Sequence, residues 1–483
     1  MKQTITTILI TLIATALWAQ SSSDACRYSQ TFYQGTAKAL GMGNALGAVG
    51  GDMTALCINP AGMGLYRSSE FTTTISLSNN NITSTYYGES GSDNRWQFSV
   101  PNIGIIFSRQ RSNYKPMRYM QFGISHTRTN EFNMHSLASG FNPTSSKIDN
   151  YLMRMDGYWV SELQNKFPYD IYPAWETYLL DVDEHGFYTS PVPQGGINQS
   201  FDQEHKGRSG EWDFAYSFNL NDRFFFGINL GLVHIKRYGT SVLKETLPND
   251  SDIETDFREW TFTEDISSSG IGFNGKIGLI WIANRWLRLG ASYHSPSWYS
   301  FNEKWQTKTE SLFNPYDFYS YSSPESNYKY YFFSPMKWVG SVAFVVNESG
   351  LVSFDVEYLN YGTSQFKADD FDYGTVNQEI KDLYGGTLNF RLGTEWRIND
   401  SYLRFGTGYY GSPFGLGDMS GSVKKASVGI SLPIGTKSSF DLAYELSHGK
   451  RMYTLYDAGD LAIESVTESL WRHVALATLK LRF

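Results

Sequence analysis

From Ser69 to the C-terminus, apolar and polar residues alternate along many short segments. In Glu211–Asn219 the even positions are Trp, Phe, Tyr and Phe, and the odd positions are Glu, Asp, Ala, Ser and Asn. The alternation recurs in Leu351–Tyr358, Leu388–Arg397 and Phe440–Leu446. Period two predicts β-strands with one apolar and one polar face. Because the second face carries so many charged residues, we expect it to meet water.

The connections between these segments predict the topology. Short turns alternate with long polar loops, and the longest loop spans Ala138–Gly196. This asymmetry is typical of outer-membrane barrels, which have tight periplasmic turns and long external loops. We therefore predict an all-β fold, a 14-stranded antiparallel transmembrane β-barrel over residues 69–483. Its apolar face would meet lipid, its polar face would line a lumen, and its aromatic residues, 16% of the chain, would form girdles at both interfaces.

The first residues predict secretion. Lys2 precedes an apolar run from Ile5 to Trp18, which is typical of a signal peptide over residues 1–19 with cleavage near Ala19. No later run approaches the 18 or so apolar residues that a membrane helix needs. The net charge of −8 without a basic cluster argues against nucleic acid as a partner.

Residues 20–68 form a glycine-rich segment with two candidate roles. Gly41-x-Gly43-x-x-x-Gly47 looks like a phosphate-binding loop, but no strand-like sequence precedes it, so nucleotide binding is disfavoured. Glycine also permits close backbone packing, and a segment confined inside a barrel needs that property. We expect this segment to be a lumenal plug. The only cysteines, Cys26 and Cys57, either form a disulfide or remain two free thiols.

No catalytic or metal-binding pattern emerges. The chain has no Gly-x-Ser-x-Gly elbow and no His-Glu-x-x-His motif. His294 and Ser295 are adjacent, but neighbours on a strand point to opposite faces. The histidines show no ligand spacing and lie at positions 126, 135, 185, 205, 234, 294, 448 and 473. We expect no enzyme activity, no metal and no cofactor.

The segment Gly35–Phe71, with Asn59-Pro60-Ala61 just before the first strand, resembles the FadL/TodX-type outer-membrane transport proteins for hydrophobic compounds. The resemblance implies that the N-terminal segment is a hatch inside the barrel, with roles for Asn59, Pro60, Ala61, Gly62, Gly41 and Gly43. It implies external capture of an apolar molecule, fatty-acid-like or aromatic, followed by hatch movement and lateral release into outer-membrane lipid. The final Phe483 resembles the terminal aromatic residue that the barrel-assembly machinery reads.

The longest loop offers candidate capture residues. Tyr151, Met155 and Trp159 fall at helical spacing, and Trp175 belongs to a second amphipathic turn. The alternative is that these side chains only pack against each other and cap the barrel. A second alternative concerns the whole chain, because the same architecture would suit a non-transporting barrel subunit of an outer-membrane secretion or assembly complex.

Overall fold

The computed structural model describes residues 21–111, 116–249, 253–314, 316–347, 349–416, 421–457, 459, 461 and 463–483. The expected signal peptide lies outside the described residues. Within them, no helix is both long and apolar enough to cross a membrane.

Fourteen antiparallel strands form the wall, and four of them are interrupted. The strands are β1 (Glu70–Tyr86), β2 (Glu89–Gln110), β3 (Met117–Glu131 and Met134–Asn142), β4 (Ile197–Leu220), β5 (Phe224–Thr246), β6 (Phe257–Ile282), β7 (Leu287–His294 and Trp298–Phe313), β8 (Asp317–Ser322, Ser326–Phe333 and Lys337–Val346), β9 (Gly350–Asn360 and Gln365–Lys367), β10 (Gly386–Ile398), β11 (Ser401–Tyr410), β12 (Val423–Ile434), β13 (Ser438–Tyr453) and β14 (Val466–Arg482).

The sheet closes on itself because β1 pairs with β14 from Glu70↔Arg482 to Thr85↔Thr467. Closure removes the unpaired edges that an open sheet would expose. Prolines explain two of the interruptions, since Pro296 and Pro335 cannot donate to the ladder. These two breaks face each other across β7 and β8, where Ser334 N donates to Ser297 O at 3.1 Å.

The two faces of the strands separate as predicted. Trp212 and Leu442 are 44% and 40% exposed on the outer wall, and Phe224 stacks on Trp281 near the short turns with ring centroids 6.0 Å apart. Charged residues of the inner face are buried in the lumen, where Arg391 Nη1 lies 3.1 Å from Glu357 Oε2. The prediction of a 14-stranded barrel with an apolar exterior and a polar interior is confirmed.

The prediction that short and long connections alternate strictly is wrong at two places, and the longest loop begins later than predicted. At the loop end, β1 and β2 are joined by only two residues, Tyr87 and Gly88, which both adopt positive φ. β3 continues to Asn142, beyond the predicted loop start at Ala138. The polar sequence from Leu312 to Ser326 also predicts a long loop, but it contains the strand segment Asp317–Ser322, which pairs with Lys308–Phe313. The connection between β7 and β8 is therefore short as well.

The N-terminal segment lies inside the barrel and contains little regular structure. We call residues 21–69 the plug. It contains α1 (Ser22–Ser29), α2 (Ala37–Gly41), α3 (Ala55–Ile58) and a 3-10 helix (Pro60–Leu65).

Three helices from the longest loop, and one from another, pack at the loop end. They are α4 (Lys147–Met155), α5 (Val160–Lys166), α6 (Ile171–Glu176) and α7 (Gly374–Leu383). A two-stranded sheet, Asp181–Val182 with Tyr188–Thr189, follows α6. Helices α4 to α6 bury an apolar cluster against the upper strands, including Trp260 and Leu243. We call helices α4 to α6, together with this apolar cluster, the cap.

Candidate functional site

The plug is hydrogen-bonded to strands on every side of the barrel. Its bonds are Ala37 N to Thr478 Oγ1 (2.8 Å), Gly47 N to Asp355 Oδ2 (3.0 Å), Asn229 Nδ2 to Leu56 O (2.7 Å) and Ser292 Oγ to Ile58 O (2.7 Å). From Tyr33 to Gly64 nearly every plug residue is buried. We call this part the lower plug. It fills the cross-section of the lumen at its height.

Asn59 holds the centre of the lower plug together. Its Oδ1 accepts a hydrogen bond from Ala61 N at 3.1 Å, and its Nδ2 donates to Gly47 O at 2.7 Å and to Leu279 O at 3.2 Å. Pro60 begins the 3-10 helix immediately afterwards, at the position where a missing N–H costs least. The side chain of Asn59 therefore joins two plug turns to the wall.

Glycines let the plug backbone touch the wall backbone. Gly43 has φ +59°, and a Cβ there would lie 2.9 Å from Thr407 N. Gly41 meets Gly429 of β12, and a Cβ on Gly41 would lie 3.0 Å from the Cα atom of Gly429. Gly62 packs against Gly50 within the plug, at 2.9 Å from Cβ to Cα. These contacts account for the glycine content without any phosphate-binding role.

A buried charge cluster links Asp52 of the plug to β14. Lys480 Nζ lies 3.0 Å from both Asp52 Oδ2 and Asp441 Oδ2, and Thr36 Oγ1 donates to Asp52 Oδ1 at 2.7 Å. Burial alone would raise the pKa of Asp52, but the ammonium groups of Lys480 and Lys38 outweigh it and lower that pKa to about 2. Asp52 is therefore a carboxylate throughout the physiological pH range.

The structure shows Cys26 and Cys57 as separate, buried free thiols. Cys57 Sγ donates to Asp213 Oδ2 at 2.9 Å, and Cys26 packs beside Tyr28 in an aromatic cluster. Burial raises the pKa of Cys26 to about 12. Of the two alternatives that the sequence left open, the molecule has the free thiols.

In the described part of the chain, Cys57, Glu211 and Asp213 bring three potential metal ligands together. Lys276 already contacts both carboxylates, with Nζ 3.2 Å from Asp213 Oδ1. The cluster thus already contains a cation, whose charge offsets that of one of the two carboxylates.

A cavity of about 350 Å³ lies in the upper lumen, above the lower plug. Its apolar lining includes Phe32, Ile82, Phe132, Met134 and Leu470. That volume lies in the range of small-molecule sites.

The cavity is also rich in cations. Its lining includes Arg27, Arg237, Lys425, Lys450, Arg451 and Arg472. Asp24, Glu131, Glu445 and Glu468 pair with five of these six cations. The sixth, Lys450, lies on the outward face of β13 with the exposed Leu442 and Tyr444. Arg472 Nε is buried and has no hydrogen-bond partner there. The site therefore offers apolar walls together with donors for an anionic group.

The wall beside this cavity is not continuous. Backbone pairing between β2 and β3 stops at Asn102↔Thr127. Pro101 follows in β2 towards the loop end, and β3 breaks at Phe132–Asn133. Above this level β2 pairs only with β1, and the upper segment of β3 pairs only with β4.

Among the described residues, side-chain contacts instead of a backbone ladder connect the two sides of this gap, which we call the wall opening. Arg95 Nη1 lies 2.5 Å from Glu204 Oε1, and Asn80 Nδ2 donates to Asn133 O at 2.6 Å. Asn133 also bonds Gln97 across the gap. Because Phe132 and Asn133 line the cavity, the cavity reaches the wall opening.

The predicted capture residues differ widely in exposure. Tyr151 and Met155 are buried inside the cap, and Tyr151 contacts Trp260 with ring centroids 6.2 Å apart. Trp159 is 78% exposed at the start of α5, and Trp175 packs edge-on against Tyr188. For Tyr151 and Met155 the packing alternative therefore describes the structure. At the other end of the chain, Phe483 is exposed and its N–H donates to Ser69 O at 3.0 Å.

Comparison with known proteins finds the architecture in solved structures. The P. putida toluene transporter TodX is 13% identical, with a TM-score of 0.57 over 94% of this chain and 99% of that one. The fold is that of the FadL/TodX-type barrels. A FadL homologue of Pseudomonas aeruginosa is 12% identical, with a TM-score of 0.59 over 94% of this chain and 99% of that one. The Ralstonia pickettii toluene transporter TbuX is 15% identical, with a TM-score of 0.54 over 94% of this chain and 99% of that one. No protein-family model and no curated protein matches the sequence. A closed barrel with this apolar band lies in a bacterial outer membrane.

Proposed function

We propose that this protein takes up apolar molecules with an anionic head group and releases them sideways through the wall opening. The observation that carries the proposal is the cavity itself, which combines apolar walls, a surplus of cations and contact with a break in strand pairing. The solved proteins that share the fold include transporters of toluene, which supports a hydrophobic substrate class.

Lateral release suits such a substrate. A molecule that leaves through the wall enters the acyl region of the membrane without exposing its apolar part to a water-filled pore. The lower plug then does not need to open. Moving it would break buried ion pairs such as Asp52–Lys480, at a cost of several kcal/mol.

The hatch movement in this scheme is local. Residues 30–32, at the floor of the cavity, are half-buried, whereas the lower plug is buried almost throughout. Phe32 N donates to Thr129 O at 2.6 Å, directly below the wall opening. A shift of this short segment would connect the cavity with the opening. The exposed Trp159 of the cap would act earlier, in capture.

The experiment closes the wall opening. Cysteines introduced by Gln97→Cys and Asn133→Cys would face each other across it and can be joined with a short bis-thiol reagent. We expect uptake of labelled oleate to fall to background after bridging. The control treats the same double variant with a monofunctional reagent, which adds bulk without a bridge. Uptake that persists in the bridged protein would refute lateral release here.

The anionic head group has its own test in Arg472→Lys, because the buried Arg472 Nε lines the cavity without a hydrogen-bond partner among the described residues. Lysine keeps the positive charge that pairs with Glu131, so the barrel should remain folded, but it removes the guanidinium donors. We expect oleate uptake to fall about tenfold, as one charge-assisted contact is worth about 1.4 kcal/mol or more. Uptake of toluene, which has no charge, should change little. An equal loss for both probes would contradict recognition of an anion.

A further inference from the structure

We propose that the outer surface of β4–β6 binds a phosphate group of the glycolipid in the outer leaflet. The proposed site consists of Arg208, Lys236, Ser269 and Tyr238, and we call it the outer cationic site. It lies on the opposite side of the wall from the lumenal cavity, and it does not depend on the transport proposal.

The position of the site matches the lipid head groups. The outward residues of β5 from the short-turn end are Phe224, Phe226, Ile228, Leu230 and Leu232, all exposed, and the next ones are His234, Lys236 and Tyr238. Ten residues of a strand tilted by about 40° rise about 25 Å, which is the height of the apolar band in such barrels. Lys236 is thus the first cation of β5 above the hydrocarbon.

Neighbouring strands change character at the same height. On β6, the exposed Ile271 and Phe273 give way to the exposed Ser269. On β4, Trp212 gives way to Gly210 and then to the exposed Arg208. The imidazoles of His126 and His234 stack over Gly210, with ring centroids 5.3 Å apart, and separate the apolar band from the cations above.

Two cations face each other without a counter-ion. Arg208 and Lys236 are direct cross-strand partners, and Lys236 is paired in register with Ser269. Like charges at this spacing, about 5 Å between Cβ atoms, destabilise a sheet. Nearby outward lysines have partners, since Lys206 Nζ lies 3.0 Å from Glu204 Oε1 and Lys304 Nζ 2.8 Å from Glu325 Oε1. Neither Arg208 nor Lys236 forms an ion pair with any residue that the structure describes.

The surroundings favour a phosphorylated lipid as the occupant. Arg and Lys side chains bind phosphate with charge-assisted hydrogen bonds, and the serine and tyrosine hydroxyls can donate further ones. The exposed apolar side chains directly below, such as Leu232 and Ile271, can pack along the acyl chains of the same molecule. A phosphate with acyl chains attached satisfies both parts of this surface, whereas free phosphate satisfies only the upper part.

The test measures binding of diphosphoryl lipid A to the purified full-length barrel in phosphatidylcholine nanodiscs. We compare wild type with the double variant Arg208→Glu, Lys236→Glu. The matched control, Arg285→Glu with Lys437→Glu, makes the same charge change at exposed positions near the short turns. We expect lipid A affinity to fall at least about tenfold in the first variant and to remain unchanged in the control.

Further measurements make the outcome decisive. Heat-modifiable electrophoretic mobility establishes that each variant is folded. The double variant Arg208→Lys, Lys236→Arg, which keeps both positive charges, should bind lipid A as wild type does. Dephosphorylated lipid A should bind as weakly to wild type as lipid A does to the double variant, and inorganic phosphate should compete only weakly. Equal lipid A affinity of wild type and the double variant would overturn the proposal. So would equal binding of phosphorylated and dephosphorylated lipid A.

Discussion

At the scale of single residues, buried charges hold the lower plug in the barrel. Asp52 is fully buried, and its carboxylate contacts Lys480 and Thr36 instead of water. Lys480 also contacts Asp441. Removing one partner from such a pair costs more than the pair contributes, because the remaining charge stays buried. The plug is therefore sensitive to single substitutions at the charge cluster.

We expect Asp52→Asn to destabilise plug docking by about 3 kcal/mol, because it leaves Lys480 with one carboxylate instead of two. Single-channel conductance should rise, and protease should cleave the plug faster. Asp222→Asn is the control, since Asp222 pairs with Arg67 at 2.9 Å and with Arg118 at 2.7 Å in a partly exposed position, where an ion pair contributes less than about 1 kcal/mol. Equal effects of the two substitutions would contradict the assigned role of Asp52.

The pKa of Asp52 gives this contact a pH dependence. The carboxyl has a pKa of about 2 in the folded protein, against an ordinary value of 3.8. A lowered pKa stabilises the state in which the group is ionised, so the contribution, about 2 kcal/mol, is complete above about pH 4. It disappears as the pH falls from about 4 to about 2. Conductance of the wild type should rise over this acidic window, and that of Asp52→Asn should not.

Close backbone contact between plug and wall gives a second prediction at this scale. A Cβ on Gly227 of β5 would lie 2.2 Å from the carbonyl carbon of Pro60, whereas a Cβ on Gly340 of β8 would meet nothing within 4 Å. We expect Gly227→Ala to displace the plug at a cost of about 1–3 kcal/mol and to raise conductance. Gly340→Ala should behave as wild type. Normal conductance of Gly227→Ala would show that the plug does not press on β5.

At the scale of elements, the alternating segments predicted the wall well, because each face of a barrel strand has one environment. The family resemblance of the segment with Asn59-Pro60-Ala61 likewise implied a plug. The wall opening was not predicted. Pro101 lies within β2 and cannot donate to a ladder, but only the register shows that β2 and β3 separate there. The cavity cations escaped notice for a similar reason, since Arg27, Arg237 and Arg472 come from distant segments.

Amphipathic spacing selected both Tyr151 and Trp159 of the loop between β3 and β4 as candidate capture residues, and the two can be told apart by substitution. Tyr151 is fully buried, so Tyr151→Ala should destabilise the cap by about 3 kcal/mol and expose the loop between β3 and β4 to protease. Trp159→Ala removes an exposed side chain and should leave protease resistance unchanged. Oleate uptake by Trp159→Ala should nevertheless fall if this residue captures ligand. Normal uptake would leave α5 with a packing role only.

At the scale of the whole molecule, the barrel separates two tasks. The lower plug closes the lumen with backbone contacts and buried ion pairs, and the upper lumen keeps a cavity that reaches the wall. A closed sheet tolerates a local break in pairing because neighbouring strands such as β1 with β14, β4 with β5 and β5 with β6 remain paired along most of their lengths. Under the proposed lateral release, selectivity against water-soluble molecules would follow from the exit, which would lead into lipid.

The most direct measurement fixes the lower plug and records uptake. Asp213→Cys places a thiol beside the native Cys57, whose Sγ lies 2.9 Å from the Asp213 carboxylate, so oxidation should join the plug to β4. Asp213→Ser is the control for loss of the carboxylate. We expect the oxidised protein to transport labelled oleate as fast as the Asp213→Ser control, because the ligand leaves above a stationary plug. Uptake that stops on oxidation and returns with reductant would contradict this account, since the ligand would then have to pass the plug.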